Sequence, residues 1–377
     1  MKIKALLVLV SVLVVSCAIG AFWFNERVLK ENKARAIMAM GEGLEQQENH
    51  ELALEEYRKG YERYGSIKHG PYFLFRSAVC ERKLGREEDA RTGFLELLER
   101  YKKGDLVADC LAELGSLAEE MDEDDLAREY YQGILDEHPD SPRRAEALAG
   151  LGSMMVGQAQ PQEARKLLQE VLDRHGKIGP AAHRAMDALG KANLQILFSP
   201  RPQDETARYD VKKGDSLISI ATQFGTTVAL IKECNGLSKD WIRPGQTLKV
   251  LKEPFSIEVD ISDRTLTLLL AGKFFKRYSV GVGQYDTTPI GEFEVTDKVE
   301  NPTWYPSGGG VFYPGDPRNI LGTRWLAISK PGYGIHGTTE PESIGKASSA
   351  GCIRMLNQDV EELYRLVPVG VRVKIVQ

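Results

Sequence analysis

Two residues late in the sequence could do covalent chemistry together. Cys352 is the only cysteine after Cys234, and His336 is the only histidine after His183. Their separation of sixteen positions is enough to set both on neighbouring strands facing one cleft. A thiol attacks as its thiolate, and with an ordinary pKa of about 8.5 it is mostly protonated at neutral pH. An imidazole within hydrogen-bond reach favours the thiolate and later returns the proton to a leaving amine. Gly351 removes side-chain bulk beside the sulfur, so adjacent backbone N–H groups can point at a developing oxyanion. The pair alone leaves a second reading open, in which a small buried cysteine and a packed histidine have no chemistry at all.

The elements around the pair are β-rich from Phe255 onward. Ile257 to Ile261, Leu266 to Leu270, Tyr278 to Val282, Glu292 to Val295 and Arg372 to Val376 alternate with a period of two. Ser307-Gly308-Gly309-Gly310 has no strand-to-helix context of a phosphate cradle and reads as a flexible loop, a candidate lid over the site.

Upstream the pattern changes. Tyr209-Asp210-Val211 alternates as a strand, and Gly214-Asp215-Ser216 offers a turn and a helix cap. Leu217, Ile220, Ala221 and Phe224 form one helical face. Thr227 starts a second helix that Gly236 ends, and Pro244-Gly245-Gln246 turns into a strand at Thr247 to Leu251. Before this, Ser199 to Thr206 is polar and Pro-bounded, a linker in composition. Earlier still, Ala53, Ala90, Ala127 and Ala164 recur every 37 residues, each followed by a bulky residue four positions on. A small residue at one fixed point lets paired helices approach and interlock. His138 and His175 fall where Tyr64 and Tyr101 stand in the other units, so they are packing or edge positions. The acidic run Glu119 to Asp125 sits at an inter-helix turn and reads as a solvated loop.

The first 24 residues stand apart. Lys2 and Lys4 precede an uncharged run from Ala5 to Phe24, long enough as a helix to cross a bilayer. Val14-Val15-Ser16-Cys17 also resembles a lipobox, in which Cys17 would be lipidated. The preferred reading is an uncleaved signal anchor, with the lipoprotein as its alternative. Either one leaves the rest of the chain extracytoplasmic, at the periplasmic face of the cell envelope and held to the membrane. Of the five cysteines, Cys80, Cys110 and Cys234 read as small buried hydrophobes, with a Cys80–Cys110 disulfide left open. A formal charge of −5 over 377 residues, with no basic stripe, sets nucleic acid aside.

Three families are resembled in order. The helical repeats resemble tetratricopeptide repeats. GlyAspSerLeu, IleAla, AsnGly and ProGlyGln at their spacing resemble the LysM module, which implies glycan contacts at Gly214, Asp215, Ser216 and Leu217 and at Ile242, Arg243 and Pro244. Ile335-His336-Gly337-Thr338 and Ser348-Ser349-Ala350-Gly351-Cys352-Ile353-Arg354 resemble the YkuD-type L,D-transpeptidase motif, supported by Thr288-Pro289-Ile290-Gly291 and Asn319-Ile320-Leu321-Gly322. Ala350 departs from that motif, which often has His, Lys or Arg there.

The expected chain is therefore multidomain. It has a membrane segment over 1–24, an α-helical repeat array over 32–199 and a linker over 200–207. A small strand-helix-helix-strand LysM module follows over 208–251, then a β-rich catalytic domain over 255–377. The resemblance implies that Cys352 attacks the stem-peptide carbonyl before D-Ala, with His336 as base and the Gly337 carbonyl orienting it. Gly351 and Cys352 N–H groups would stabilise the oxyanion, and Arg354 and Ser349 are candidate substrate contacts. A side-chain amine of a second stem would resolve the thioester to a 3→3 crosslink. Hydrolysis, envelope-protein anchoring or crosslink cleavage would use the same acyl-enzyme, and a non-catalytic peptidoglycan scaffold is the alternative of another class. Glycan strands and stem peptides are the expected partners, with a protein on the repeats and no cofactor or metal.

Overall fold

The computed structural model describes residues 2–306 and 308–377, with side chains from residue 19 onward except at Asp286. The side chains of Cys17 and of most of the apolar run over 5–24, and Ser307, fall outside that description. Among the described residues no helix is long and apolar enough to cross a membrane. The chain divides into two compact units, 1–151 and 152–377.

The first unit is entirely helical: α1 (Lys2–Gln46), α2 (His50–Tyr64), α3 (Gly70–Lys83), α4 (Glu87–Arg100), α5 (Val107–Glu120), α6 (Asp124–Glu137) and most of α7 (Arg144–Gly157). Asn49 caps α2 by accepting from Leu52 N, and three acids open α4 where the helix dipole favours them. The recurring alanines begin every second helix. Ala53, Ala90 and Ala127 are fully buried, and so are Tyr57, Phe94 and Tyr131 four residues later. His138 ends α6 as Tyr101 ends α4. Cys80 and Cys110 are both buried and free, so no disulfide joins them. The acidic run is more than a solvated loop. Glu119 accepts from the Tyr131 hydroxyl at 2.9 Å, and Glu120 and Glu123 accept from Arg82 and Arg91. Carboxylates that bond groups on other helices help fix the turn between α5 and α6.

The second unit continues through α8 (Pro161–His175) and α9 (Pro180–Phe198). Next come β1 (Thr206–Asp210), α10 (Leu217–Phe224), α11 (Val228–Asn235) and β2 (Thr247–Leu251), with β1 and β2 paired antiparallel. Ser216 and Ser219 form a capping box at α10, and Gly225 and Gly236 end the two short helices. Then follow β3 (Phe255–Asp260), β4 (Thr265–Leu270), β5 (Lys273–Ser279), β6 (Val282–Gly283), β7 (Gly291–Glu300), β8 (Arg324–Ile328), β9 (Gly334–His336), β10 (Ala347–Ser349), β11 (Ile353–Arg354), α12 (Asn357–Leu366) and β12 (Arg372–Val376). Eight strands form one sheet in the order β11-β9-β8-β7-β12-β3-β4-β5. The alternating burial of β3 and β4 fits a sheet with one face in the core, and Val360, Leu363 and Leu366 of α12 are fully buried. The strand expected over Tyr278 to Val282 is instead the end of β5 and the start of β6, with a break between Ser279 and Val282.

The polar segment before β1 does not separate two independent bodies. Thr206 already pairs with Leu251, and Glu205 bonds Arg165 of α8 at 2.8 Å. Leu197 of α9 belongs to the same apolar cluster as Leu230, Cys234 and Phe255. Asn193 donates to the Phe275 carbonyl of β5 at 2.8 Å, and the Cys234 thiol donates to the Leu197 carbonyl at 3.3 Å. A Pro-bounded polar stretch looks like a hinge in composition. Here its ends are tied by side chains that composition does not reveal.

Candidate active site

Strand pairing builds the site. β9 lies between β8 and β11, so Trp325 and Arg354 stand opposite His336 on its two sides. The Trp325 and His336 rings stack with centroids 5.6 Å apart and planes 24° apart, and His336 is 2% exposed. Its Nδ1 lies 2.6 Å from the Gly337 carbonyl oxygen. A carbonyl can only accept, so Nδ1 carries the proton and Nε2 keeps its lone pair.

Cys352 immediately precedes β11, in a turn that Gly351 makes possible. The φ of +131° at Gly351 disfavours any side chain, and a Cβ there would come within 2.7 Å of the Tyr333 ring. Ser349 braces the turn. Its hydroxyl donates to the Cys352 carbonyl at 2.7 Å and accepts from Gly351 N at 3.1 Å. Both bonds are internal to the loop and the residue is largely buried, so Ser349 holds the turn while lining the same cavity as Cys352. The same bond engages the Gly351 N–H, one of the two expected oxyanion donors.

His336, Cys352 and Arg354 line one cavity of about 870 Å³ whose walls include Trp304, Tyr305 and Tyr333. Trp304 and Phe312 bridge antiparallel, and Asn319 donates to the carbonyls of Pro302 and Phe312. Gly308 to Gly310 thus lie at the tip of a tied flap whose near side walls the cavity. The Cys352 thiol donates to the Gly332 carbonyl at 3.7 Å. Arg354 is 7% exposed and donates to Glu340 at 3.0 Å, and its buried Nε has no partner.

Burial sets the protonation states. Loss of water lowers the His336 pKa to about 4, reinforced by the Arg354 charge and opposed by bonds to the backbone of Gly337 and Leu321. Burial also pushes the Cys352 thiol up, against a backbone bond from Gly334 and the Arg354 charge. At neutral pH the resting pair is therefore a thiol and a neutral imidazole. The arrangement suits general-base activation at the moment of attack, not a standing thiolate–imidazolium pair.

The LysM residues fall at one end of that module. Asp215 accepts from the Tyr209 hydroxyl and Lys212 N at 2.8 Å each, while Arg243 and Pro244 are exposed and Ile242 is half-buried. Leu217 is 2% exposed within the module's own core, so its side chain cannot serve as a glycan contact. Two residues that sequence reasoning passed over, Ile218 and Trp241, are 71% and 77% exposed beside those positions. In the catalytic domain it also passed over Trp325. The apolar run Trp325-Leu326-Ala327-Ile328 marks a strand but does not show which of its faces meets the site.

The sequence pattern of the L,D-transpeptidase catalytic domain matches residues 254–375, that of the LysM domain 209–251, and that of the tetratricopeptide repeat 72–104 and 109–141. The Bacillus subtilis (strain 168) protein named "Putative L,D-transpeptidase YkuD" is 42% identical over 174 residues, covering 44% of this chain and 97% of the relative. Among solved structures, the catalytic domain of an E. faecium L,D-transpeptidase is 27% identical, covering 33% of this chain and 98% of that one, with a TM-score of 0.28. An L,D-transpeptidase from Mycobacterium smegmatis is 17% identical over 35% of this chain and 64% of its own, with a TM-score of 0.29. With nearly the whole of the Bacillus subtilis relative covered at that identity, the chain belongs to the YkuD-type L,D-transpeptidase family and carries LysM and tetratricopeptide modules ahead of its catalytic domain.

Proposed function

We propose that this chain is a peptidoglycan L,D-transpeptidase that works through a thioester on Cys352. The observation that supports the reading best is the buried, singly protonated His336, oriented by the Gly337 carbonyl, in the same cavity as the Cys352 thiol. Nε2 of His336 takes the thiol proton as the sulfur attacks the carbonyl between the third stem residue and D-Ala. The oxyanion is met by backbone N–H, with Cys352 N the better placed donor because Gly351 N already serves Ser349. His336 passes the proton to the departing D-Ala amine, leaving the thioester. The side-chain amine of a second stem then attacks, its proton goes to His336, and the thiol is restored from there as the 3→3 amide forms. Arg354 offers a cation to a substrate carboxylate, with Glu340 as its resting partner.

The other parts serve delivery. LysM holds glycan and raises the local concentration of stems, the repeat array takes a protein partner, and residues 1–24 hold the chain to the membrane at the extracytoplasmic face. The test is mass spectrometry of purified disaccharide-tetrapeptide incubated with wild type and with Cys352→Ala. Wild type yields the crosslinked dimer and free D-Ala, and the variant yields neither. Dimer formation by the variant sinks the mechanism, whereas tripeptide without dimer makes the enzyme a carboxypeptidase.

A further inference from the structure

The imidazole is oriented by one peptide group, and that group is itself held from behind. The Gly337 carbonyl that meets His336 Nδ1 shares its peptide unit with the Thr338 N–H. That N–H donates to the Asn357 side-chain oxygen at 3.1 Å. In a trans peptide the two groups point in opposite directions, and no peptide of the described chain is cis. The bonds therefore run in one line from Asn357 Oδ1 through the peptide to the ring.

Three further observations mark the carboxamide as placed for this. Oδ1 also accepts from Thr323 N at 3.2 Å, and Nδ2 donates to the Thr338 carbonyl at 3.0 Å, so every bond leaves its own helix. Asn357 opens α12 but does not cap it: the cap position is Leu356, with no side-chain bond. Two glycines make room for it, because a Cβ on either Gly322 or Gly337 would lie 2.2 Å from Oδ1. The segments before β8 and after β9 converge on one side chain that lines no wall of the cleft.

We propose that Asn357 is a positioning residue for His336. It fixes the Gly337–Thr338 peptide plane and, by bonding its N–H, makes the Gly337 oxygen a stronger acceptor for Nδ1–H. Hydrogen bonds in series polarise one another, so the carboxamide both aims the ring and raises the basicity of Nε2. This rests on the reading of His336 as the base for Cys352.

The test uses the full chain and the rate of Cys352 alkylation by iodoacetamide against pH, read by mass spectrometry of the Cys352 peptide, beside kcat and KM on soluble muropeptide. Asn357→Ala is expected to slow alkylation at pH 7 by about tenfold or more and to lower kcat comparably, with KM little changed. At about pH 10.5, where a thiol ionises without help, its rate should rejoin that of wild type. Asn357→Asp keeps the acceptor for Thr338 N and adds negative charge. It should alkylate within about threefold of wild type at pH 7 and move the acid limb of the profile up by about one unit.

An alanine rate at pH 7 within about twofold of wild type overturns the proposal, as does an alanine deficit that persists at pH 10.5. An unmoved acid limb in the aspartate variant overturns it too, and decides alone if the alanine variant does not fold. A wild type that alkylates with this profile yet turns over no muropeptide overturns the functional reading and leaves the role of Asn357 standing.

Discussion

The ammonium of Lys249 on β2 donates to the Leu197 carbonyl at the end of α9 at 2.8 Å, and to the Ser199 carbonyl at the same distance. A cation from the LysM module thus closes the last turn of the last array helix, where the helix dipole favours positive charge. The ammonium is buried and its pKa is lowered by loss of water, so these carbonyls take the place of its solvent. Replacing it by an apolar chain leaves them unanswered. Lys249→Met should destabilise the second unit by about 1–3 kcal/mol in urea unfolding. A loss indistinguishable from zero would mean that water substitutes freely.

Truncation follows from the same junction. A chain starting at residue 200 removes Leu197 from its cluster with Phe255 and Leu230. It should be far less stable than one starting at residue 152, although neither lacks a catalytic residue. Equal melting temperatures would show that the array helices merely rest on the rest of the unit.

Protonation of His336 gives a stability signature with a defined sign. Its folded pKa of about 4 lies below the unfolded value of about 6.5. Above pH 6.5 the full contribution is present. As pH falls toward 4 the unfolded chain binds a proton that the folded chain refuses, and about 3 kcal/mol is lost before the curve levels. His336→Gln should lack this segment of the pH–stability curve. A curve for wild type that is flat over that interval and matches the variant would mean that the ring is wetter than its burial implies.

Trp325 covers the face of that ring, so Trp325→Leu should admit water and raise the imidazole pKa toward its ordinary value. The acid limb of Cys352 alkylation should climb accordingly. A limb that stays put would assign the burial to other neighbours.

Glycan binding is separable from chemistry by a surface change. Trp241 is exposed within LysM, and Trp241→Ser should reduce pelleting with intact sacculi while turnover of small soluble muropeptides is unaffected. Unchanged pelleting would move the glycan site elsewhere on the module.

What could be read from the sequence was whatever depends on local pattern. The 37-residue period placed the array because alanine and the large residue four positions on must both be buried in every unit. The LysM caps were visible because Ser216 and Thr227 do their work within one turn. The Cys352–His336 pair was visible because each is the only residue of its type in the region. Long-range supports left no such trace. Asn357 is an unremarkable polar residue until Gly322 and Gly337 fold around it, and Leu197 looks like the end of a solvent-facing helix until β3 and α11 cover it. Ser349 is a different case: it lines the cavity as a substrate contact would, but no local pattern shows that its hydroxyl is already engaged in holding the turn.

The place of β12 in the sheet bears on how the half with the site is held. β12 joins β3 in parallel and β7 antiparallel, and among the described residues it is the only strand linking the half that holds β7, β8, β9 and β11 to the half that holds β3, β4 and β5. Its partner β3 lies more than a hundred residues earlier, so this pairing closes a long loop and is intrinsically slow. The cavity that holds Cys352 is lined wholly from that first half, between Val299 and Arg354, so β12 carries the site without walling it. The half with the site is thus tied to the rest of the sheet by a strand that follows every residue lining it.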